Sequence, residues 1–168
     1  VKMRSKGAEL YFHQPEKMFE KALQTVFELK ELLRPEWTYR GEFLSRTKHN
    51  VIKYDRVPNK NVVLFDVNTE EEEYLSYEDL SLEASRIGLE TVPLLYVGKI
   101  SSSEEVAALI DRQSFLGGSK VEGAVFKNYR RFGPDKKAVM AKFVSEEFKE
   151  SHKKNFKSGD GKDVIQTI

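Results

Sequence analysis

The run Val121-Glu122-Gly123-Ala124-Val125-Phe126-Lys127-Asn128 constrains the fold more than any other stretch. It alternates with the two-residue period of a strand. Val121, Gly123 and Val125 fall on one face, and Glu122, Ala124, Phe126 and Asn128 on the other. A strand needs a hydrogen-bonding neighbour, and the chain supplies one directly. Tyr129 to Asp135 is basic and aromatic, Gly133-Pro134 marks a turn, and Lys137 to Val144 returns as a second strand. Glu122 stands at the mouth of the first strand, beside a glycine that lets a backbone or a ligand come close. Lys127 lies five residues on. A carboxylate and an ammonium at opposite ends of one rigid strand suit a site that holds a metal and a phosphate. Ordinary surface charges on a hairpin strand have the same pattern. Lys142 shares a face of the return strand with Ala138 and Met140, so its ammonium calls for a partner or a ligand phosphate.

The rest of the chain supplies layers for this hairpin to pack against. Val1 to Arg4 reads as a short strand and Ser5-Lys6-Gly7 as a turn. Pro15 to Arg34 reads as the longest helix, with Pro15 at its first position. Met18, Ala22, Val26, Leu29 and Leu33 form its stripe, widened by Phe19, Leu23, Phe27 and Leu32, and Pro35 stops it. Trp37 to Lys48 alternates as a strand, with Trp37, Tyr39, Gly41 and Phe43 opposite Thr38, Arg40, Glu42 and Leu44. Residues 49–61 read as a loop, and Asn61 to Val67 as a buried strand in which Asp66 is out of place. The acidic run Glu70 to Glu73 reads as a solvated loop or helix start. Ser76 caps a helix from Tyr77 to Ile87 that ends at Gly88. Thr91 to Val97 reads as a strand, Ser103 to Ile110 as a short helix, and Gly117-Gly118-Ser119 as a flexible joint. Ser145 caps a helix from Glu146 to Lys154. Strands joined by hairpins, with helices at irregular intervals, predict an α+β domain with mainly antiparallel sheets.

Composition narrows the function classes. The 168 residues fit one domain with a real core. With 28 Lys+Arg against 27 Asp+Glu, any nucleic-acid surface must be a local one. There is no cysteine, hence no disulfide framework and no thiolate zinc site. No run long and apolar enough for a membrane span and no signal-peptide pattern occurs, so the expectation is a soluble, cytoplasmic (intracellular) protein. Glu42, in the middle of an aromatic strand, needs a donor or a cation to offset desolvation; a salt bridge to Arg40 or Arg46 would serve as well as a ligand. Arg4 reads as an anion-binding arginine or a surface one. Phe65 reads as core unless something else makes it a stacking platform. Tyr129 to Phe132 could hold a nucleic-acid backbone and stack on a base, or be a charged hairpin tip.

Arg4 in Arg-Ser-Lys-Gly, Glu42 in Tyr-Arg-Gly-Glu-Phe-Leu, Phe65 in Val-Leu-Phe-Asp-Val, Glu122 in Val-Glu-Gly-Ala-Val-Phe-Lys-Asn and Lys142 in Met-Ala-Lys-Phe-Val follow one another in order. This series resembles the nucleotidyltransferase (adenylation) domain of ATP-dependent RNA ligases, in the branch that includes phage RNA-repair and RNA-editing ligases. DNA ligases and mRNA capping enzymes share that architecture. The resemblance implies two mainly antiparallel sheets with flanking helices, an ATP-grasp-like ligase adenylation core, with ATP bound between the sheets. It implies that Phe65 stacks on adenine, Glu42 takes the ribose hydroxyls, and Arg4 sits near the ribose or phosphates. Glu122 would hold Mg2+ or Mn2+, and Lys142 would neutralise the α-phosphate with help from Lys127. The partners implied are ATP and RNA ends, a 5′-phosphate and a 3′-hydroxyl.

Two departures accompany the resemblance. The family's lysine nucleophile sits in Lys-x-Asp-Gly, and no such sequence occurs here. The motif is expected just upstream of Val1. Residues 1–156 then read as an N-terminally incomplete adenylation domain, inactive in self-adenylylation, and residues 157–168 as a linker or the start of a truncated C-terminal element. Relatives also carry Lys-x-Lys in the last motif, whereas Met140 and Val144 flank Lys142 here. A non-catalytic nucleotide- or RNA-binding module of the same fold is the alternative, and an α+β domain with no nucleotide site the plainest one.

Overall fold

A computed structural model describes residues 1–6, 8–14, 16–49, 52–146 and 148–149. The readings that rest on Gly7, on Pro15 and on the chain beyond Lys149, the 157–168 tail included, lie outside the described residues. In chain order the elements are β1 (Met3–Arg4), β2 (Glu9–Leu10), α1 (Glu20–Leu29), β3 (Thr38–Phe43), β4 (Lys48–His49), β5 (Ile52–Lys53), β6 (Val62–Glu70), β7 (Glu73–Tyr74), α2 (Tyr77–Ile87), β8 (Glu90–Thr91), α3 (Ser103–Ile110), β9 (Gly123–Phe132) and β10 (Ala138–Val144). The fold is α+β. Its main sheet has four strands with β6 at the centre: β3 runs antiparallel along one edge, and β7 and the parallel β8 share the other. β9 and β10 form a separate antiparallel hairpin. β1–β2 and β4–β5 are short ribbons. No helix among the described residues is long and apolar enough to cross a membrane.

The core lies on one face of the main sheet. Leu64 and Val67 of β6 pack there with Leu80, Ala84 and Ile87 of α2, Leu29 of α1 and Leu89, flanked by Trp37, Tyr39 and Val62. Leu64 and Val67 are three residues apart, which simple alternation would put on opposite faces. A β-bulge resolves this. Arg40 pairs with Asp66 and Gly41 with Leu64, so Phe65 has no partner in β3. The extra residue resets the alternation. Tyr39, Gly41 and Phe43 therefore back the core side, while Arg40 and Glu42 share the other face with Asp66 and Val63.

α2 begins and ends where its local signals dictate. Ser76 Oγ accepts the Asp79 N–H at 3.1 Å. At the far end Gly88 adopts φ 74°, and the Gly88 and Leu89 N–H groups return to Ser85 and Ala84 in the pattern of a Schellman cap. α1 is shorter than its periodicity predicts. It forms only after a 3-10 turn at Lys17–Phe19 and loosens into turns past Leu29, as Pro35 approaches. Its buried positions are Ala22, Leu23, Thr25 and Leu29, while Met18 and Phe27 stay exposed. The Thr91–Val97 strand reduces to Glu90–Thr91. Val92 donates the last bond, to the Leu64 carbonyl, and Pro93 has no N–H to continue it. The acidic run is the tight turn between β6 and β7, with Glu72 at φ 57°. Gly117 and Gly118, at φ 75° and 73°, form a packed turn rather than a joint. A Cβ on Gly118 would collide with the Lys53 carbonyl.

Candidate functional site

The outer face of the main sheet meets the β9–β10 hairpin at a charged seam. Asp66 is buried there. Its Oδ1 lies 3.0 Å from the Lys127 ammonium and accepts a hydrogen bond from the Tyr129 hydroxyl. The Lys127 ammonium also donates to the Phe65 carbonyl at 2.5 Å and lies 5.6 Å from the Phe65 ring centroid. Phe65 and Lys127, 62 residues apart, are thus in direct contact. The bulge places the residue without a ladder partner, Phe65, beside the residue that holds the lysine. Burial, then the hydrogen bond and charge of Asp66, push the Tyr129 phenol above its ordinary range, so it remains a neutral donor. Tyr129 stacks on Tyr74 with centroids 4.7 Å apart, and the Arg40 guanidinium lies over the Tyr74 ring.

Register on the hairpin puts Lys142 opposite Val125 and Met140 opposite Lys127. Paired residues share a face, so Lys127 and Lys142 project from the same side of the hairpin. Lys142 is exposed and has no hydrogen-bond or ion-pair partner among the described residues. Its ammonium is available to an anion.

A second group is built on Glu122 and Tyr54. Glu122 Oε1 accepts the Tyr54 hydroxyl at 2.9 Å. Burial first, then the charge and hydrogen bond of Glu122 and the charge of Glu42, raise the Tyr54 phenol above its ordinary range. Glu42, 80 residues before Glu122 in the chain, acts on the same phenol only through its charge. Glu122 is fixed from its backbone too. Its carbonyl accepts the Ser145 N–H at 2.9 Å, and Gly123 follows with its α-carbon against β10, where a Cβ would collide with the Phe143 carbonyl. Among the described residues no three His, Asp or Glu side chains gather into a metal cage.

The structure brings together some of the expected residues and leaves others apart. Phe65 meets Lys127, and Glu122 holds Tyr54, on which Glu42 acts through its charge. Lys142 shares the face of Lys127 without touching it through a polar contact. Arg4 is exposed on the β1–β2 ribbon, with no hydrogen bond or ion pair to the others among the described residues. A cavity of about 730 Å3 between α3 and the end of β10 is lined by Glu122 together with Ile110, Phe143 and Phe148. None of the other expected residues lines it. Asp66 carried a signal, as a carboxylate inside an apolar strand. Tyr54 carried none, lying in a stretch without periodicity, and nothing in the sequence links Tyr129 to a strand 63 residues earlier.

No curated protein and no solved structure matches the chain. The family model described as RNA ligase matches residues 2–144, a span that runs from β1 to the end of β10 and takes in both groups of side chains. The chain belongs to the RNA ligase family.

Proposed function

We propose that the chain is the adenylation core of an ATP-dependent RNA ligase of the nucleotidyltransferase type, with ATP held between the main sheet and the β9–β10 hairpin. The observation that carries this reading is the contact of Lys127 with Phe65 and Asp66 across that seam. It sets an aromatic ring beside a cationic strand. Phe65, half-buried at the bulge, stacks on adenine, which is worth about 1–3 kcal/mol in comparable sites. Glu42, on the same face as Asp66, takes the ribose hydroxyls, with Arg4 approaching the ribose or phosphates from its ribbon. Lys142 supplies the fixed positive charge for the α-phosphate, where oxygen charge builds during attack. Lys127, already held by Asp66, assists by fixing the main chain of Phe65. Glu122 fits a magnesium ion. Its Oε2 accepts no hydrogen bond among the described residues, and Mg2+ is held by one or two carboxylates together with substrate phosphates. Bound there, the ion would supply further neutralisation of phosphate charge.

In the full reaction a lysine takes AMP from ATP as pyrophosphate leaves, AMP then passes from the lysine to an RNA 5′-phosphate, and the 3′-hydroxyl of a second end expels it. No Lys-x-Asp-Gly occurs in the chain, so none of its lysines is assigned the nucleophilic role. Labelled ATP with magnesium is expected to leave no covalent label on this chain. Calorimetry with ATP tests the cleft. Phe65→Ala is expected to weaken binding by roughly 5–150-fold, the equivalent of a lost stacking contact. Lys142→Ala is expected to weaken ATP while sparing adenosine. ATP binding that is indifferent to Phe65→Ala would overturn the reading. RNA binding that persists in its place would identify a non-catalytic binding module of the same fold.

A further inference from the structure

We infer that the tip of the β9–β10 hairpin is a docking surface for single-stranded RNA, gripping its backbone while one base stacks on Phe132. The inference extends the ligase reading by saying where on the chain the polynucleotide lies. The tip concentrates charge that the rest of the molecule balances. Arg130, Arg131, Lys136 and Lys137 fall within residues 130–137, against the single carboxylate of Asp135, in a chain whose net charge is +1. Asp135 is committed to the turn itself, where its Oδ1 accepts the Lys137 N–H at 3.1 Å. All four cations are exposed, and none forms a side-chain hydrogen bond or ion pair with any described residue. Elsewhere Arg34, Arg56, Arg86, Lys60 and Lys120 all sit on carboxylates. Unpaired cations at close spacing focus a local positive field on a polyanion. Between them Phe132 is 52% exposed, an aromatic face open to a base.

The tip is also held in place. The ladder pairs Asn128 with Val139 and Phe132 with Ala138, which leaves Tyr129, Arg130 and Arg131 unpaired in a wide bulge. Bulges of this kind re-aim side chains. Here Tyr129 turns to Asp66 and Tyr74, while the Ala138 N–H, with no partner in β9, donates to Glu72 at 2.8 Å. The two arginines therefore project from a backbone anchored to the main sheet beside Phe65. A strand bound across them would run toward the adenylate cleft. An unpaired strand fits better than a duplex, because only unpaired bases offer a free face to Phe132.

The test uses the full chain and a fluorescent, mixed-sequence single-stranded oligoribonucleotide carrying a 5′-phosphate, with an abasic strand of the same length beside it. Arg130→Ala/Arg131→Ala is expected to weaken RNA binding at least tenfold. It should also flatten the dependence of log K on log salt by about 1.4, at about 0.7 per lost phosphate contact on single strands. Phe132→Ala is expected to weaken RNA but not the abasic strand. Lys17→Ala/Lys99→Ala removes the same charge elsewhere and is expected to change neither. ATP affinity, measured on every variant, is expected to hold, so failure of the cleft and failure of the tip are read separately. An unchanged salt slope in Arg130→Ala/Arg131→Ala, equal losses in the Lys17→Ala/Lys99→Ala control, or no RNA binding by the parent chain would overturn the inference.

Discussion

Two buried carboxylates show how differently the same side chain can be used in this molecule. Asp66 faces the seam and is shared between an ammonium and a phenol. Glu83, on α2, faces the other way, accepting bonds from Arg86, Arg34 and the Tyr39 hydroxyl. The Arg86 hydrogen bond leads in lowering its pKa from 4.5 to about 2, against the opposing effect of burial. Because the folded value lies below the unfolded one, Glu83 contributes stability that is complete above pH 4.5. That contribution is lost as pH falls toward 2. Both arginines are partly exposed, so solvent screening trims the contribution to roughly 2 kcal/mol. Urea titrations of the parent and of Glu83→Gln between pH 7 and pH 2 check this. The difference between them is expected to shrink as the pH drops, and a gap independent of pH would show that the carboxylate's charge does not matter. Asp66 stood out in the sequence because an apolar strand makes any carboxylate conspicuous. Glu83 did not, because one glutamate among the acids of a surface helix has no such contrast. Its burial comes from Arg34 and Tyr39, more than forty residues away.

At the scale of the element, legibility tracked whether the determining residues were local. α2 matches its expected bounds because Ser76 and Gly88 act within a turn of the helix they terminate. The return strand β10 and the turn at Gly133 also follow from neighbours in sequence. The bulge at Phe65 and the wider one at Tyr129 do not, since each is a mismatch between two strands that only their pairing reveals. They decide the site more than the strands do. Gly123 follows Glu122 and lies close against the β10 backbone. A methyl there would press on the Phe143 carbonyl and the Val144 α-carbon, both backbone and unable to swing aside. Gly123→Ala is expected to cost about 1–3 kcal/mol in denaturant unfolding. It should also weaken ATP binding, by shifting the Glu122 backbone that Ser145 holds. Unaltered unfolding midpoints would mean that β9 and β10 part at this point without cost.

Across the whole molecule, the main sheet with α2 owns the apolar core, whereas the β9–β10 hairpin joins that sheet through polar links. Asp66 binds Lys127 and Tyr129, Glu72 binds the Ala138 N–H, and Tyr129 stacks on Tyr74. A seam built this way opens at less cost than a core, because water can replace most of what is lost. Were a nucleotide to bind across this seam as proposed, ligand binding and hairpin docking would be linked, and the nucleotide would stabilise the docked state by mass action. Native-state hydrogen exchange makes the linkage measurable. Amides of β9 and β10 are expected to exchange through a smaller opening than those of α2 and β6. Asp66→Asn removes the charge that holds Lys127 but keeps an acceptor for Tyr129. It is expected to lower hairpin protection selectively while leaving α2 at its parent values, and saturating ATP is expected to restore part of the loss. Equal loss of protection in α2 and in the hairpin would mean that the molecule opens as one cooperative unit, with Asp66 acting as a core residue rather than as the latch of a cleft.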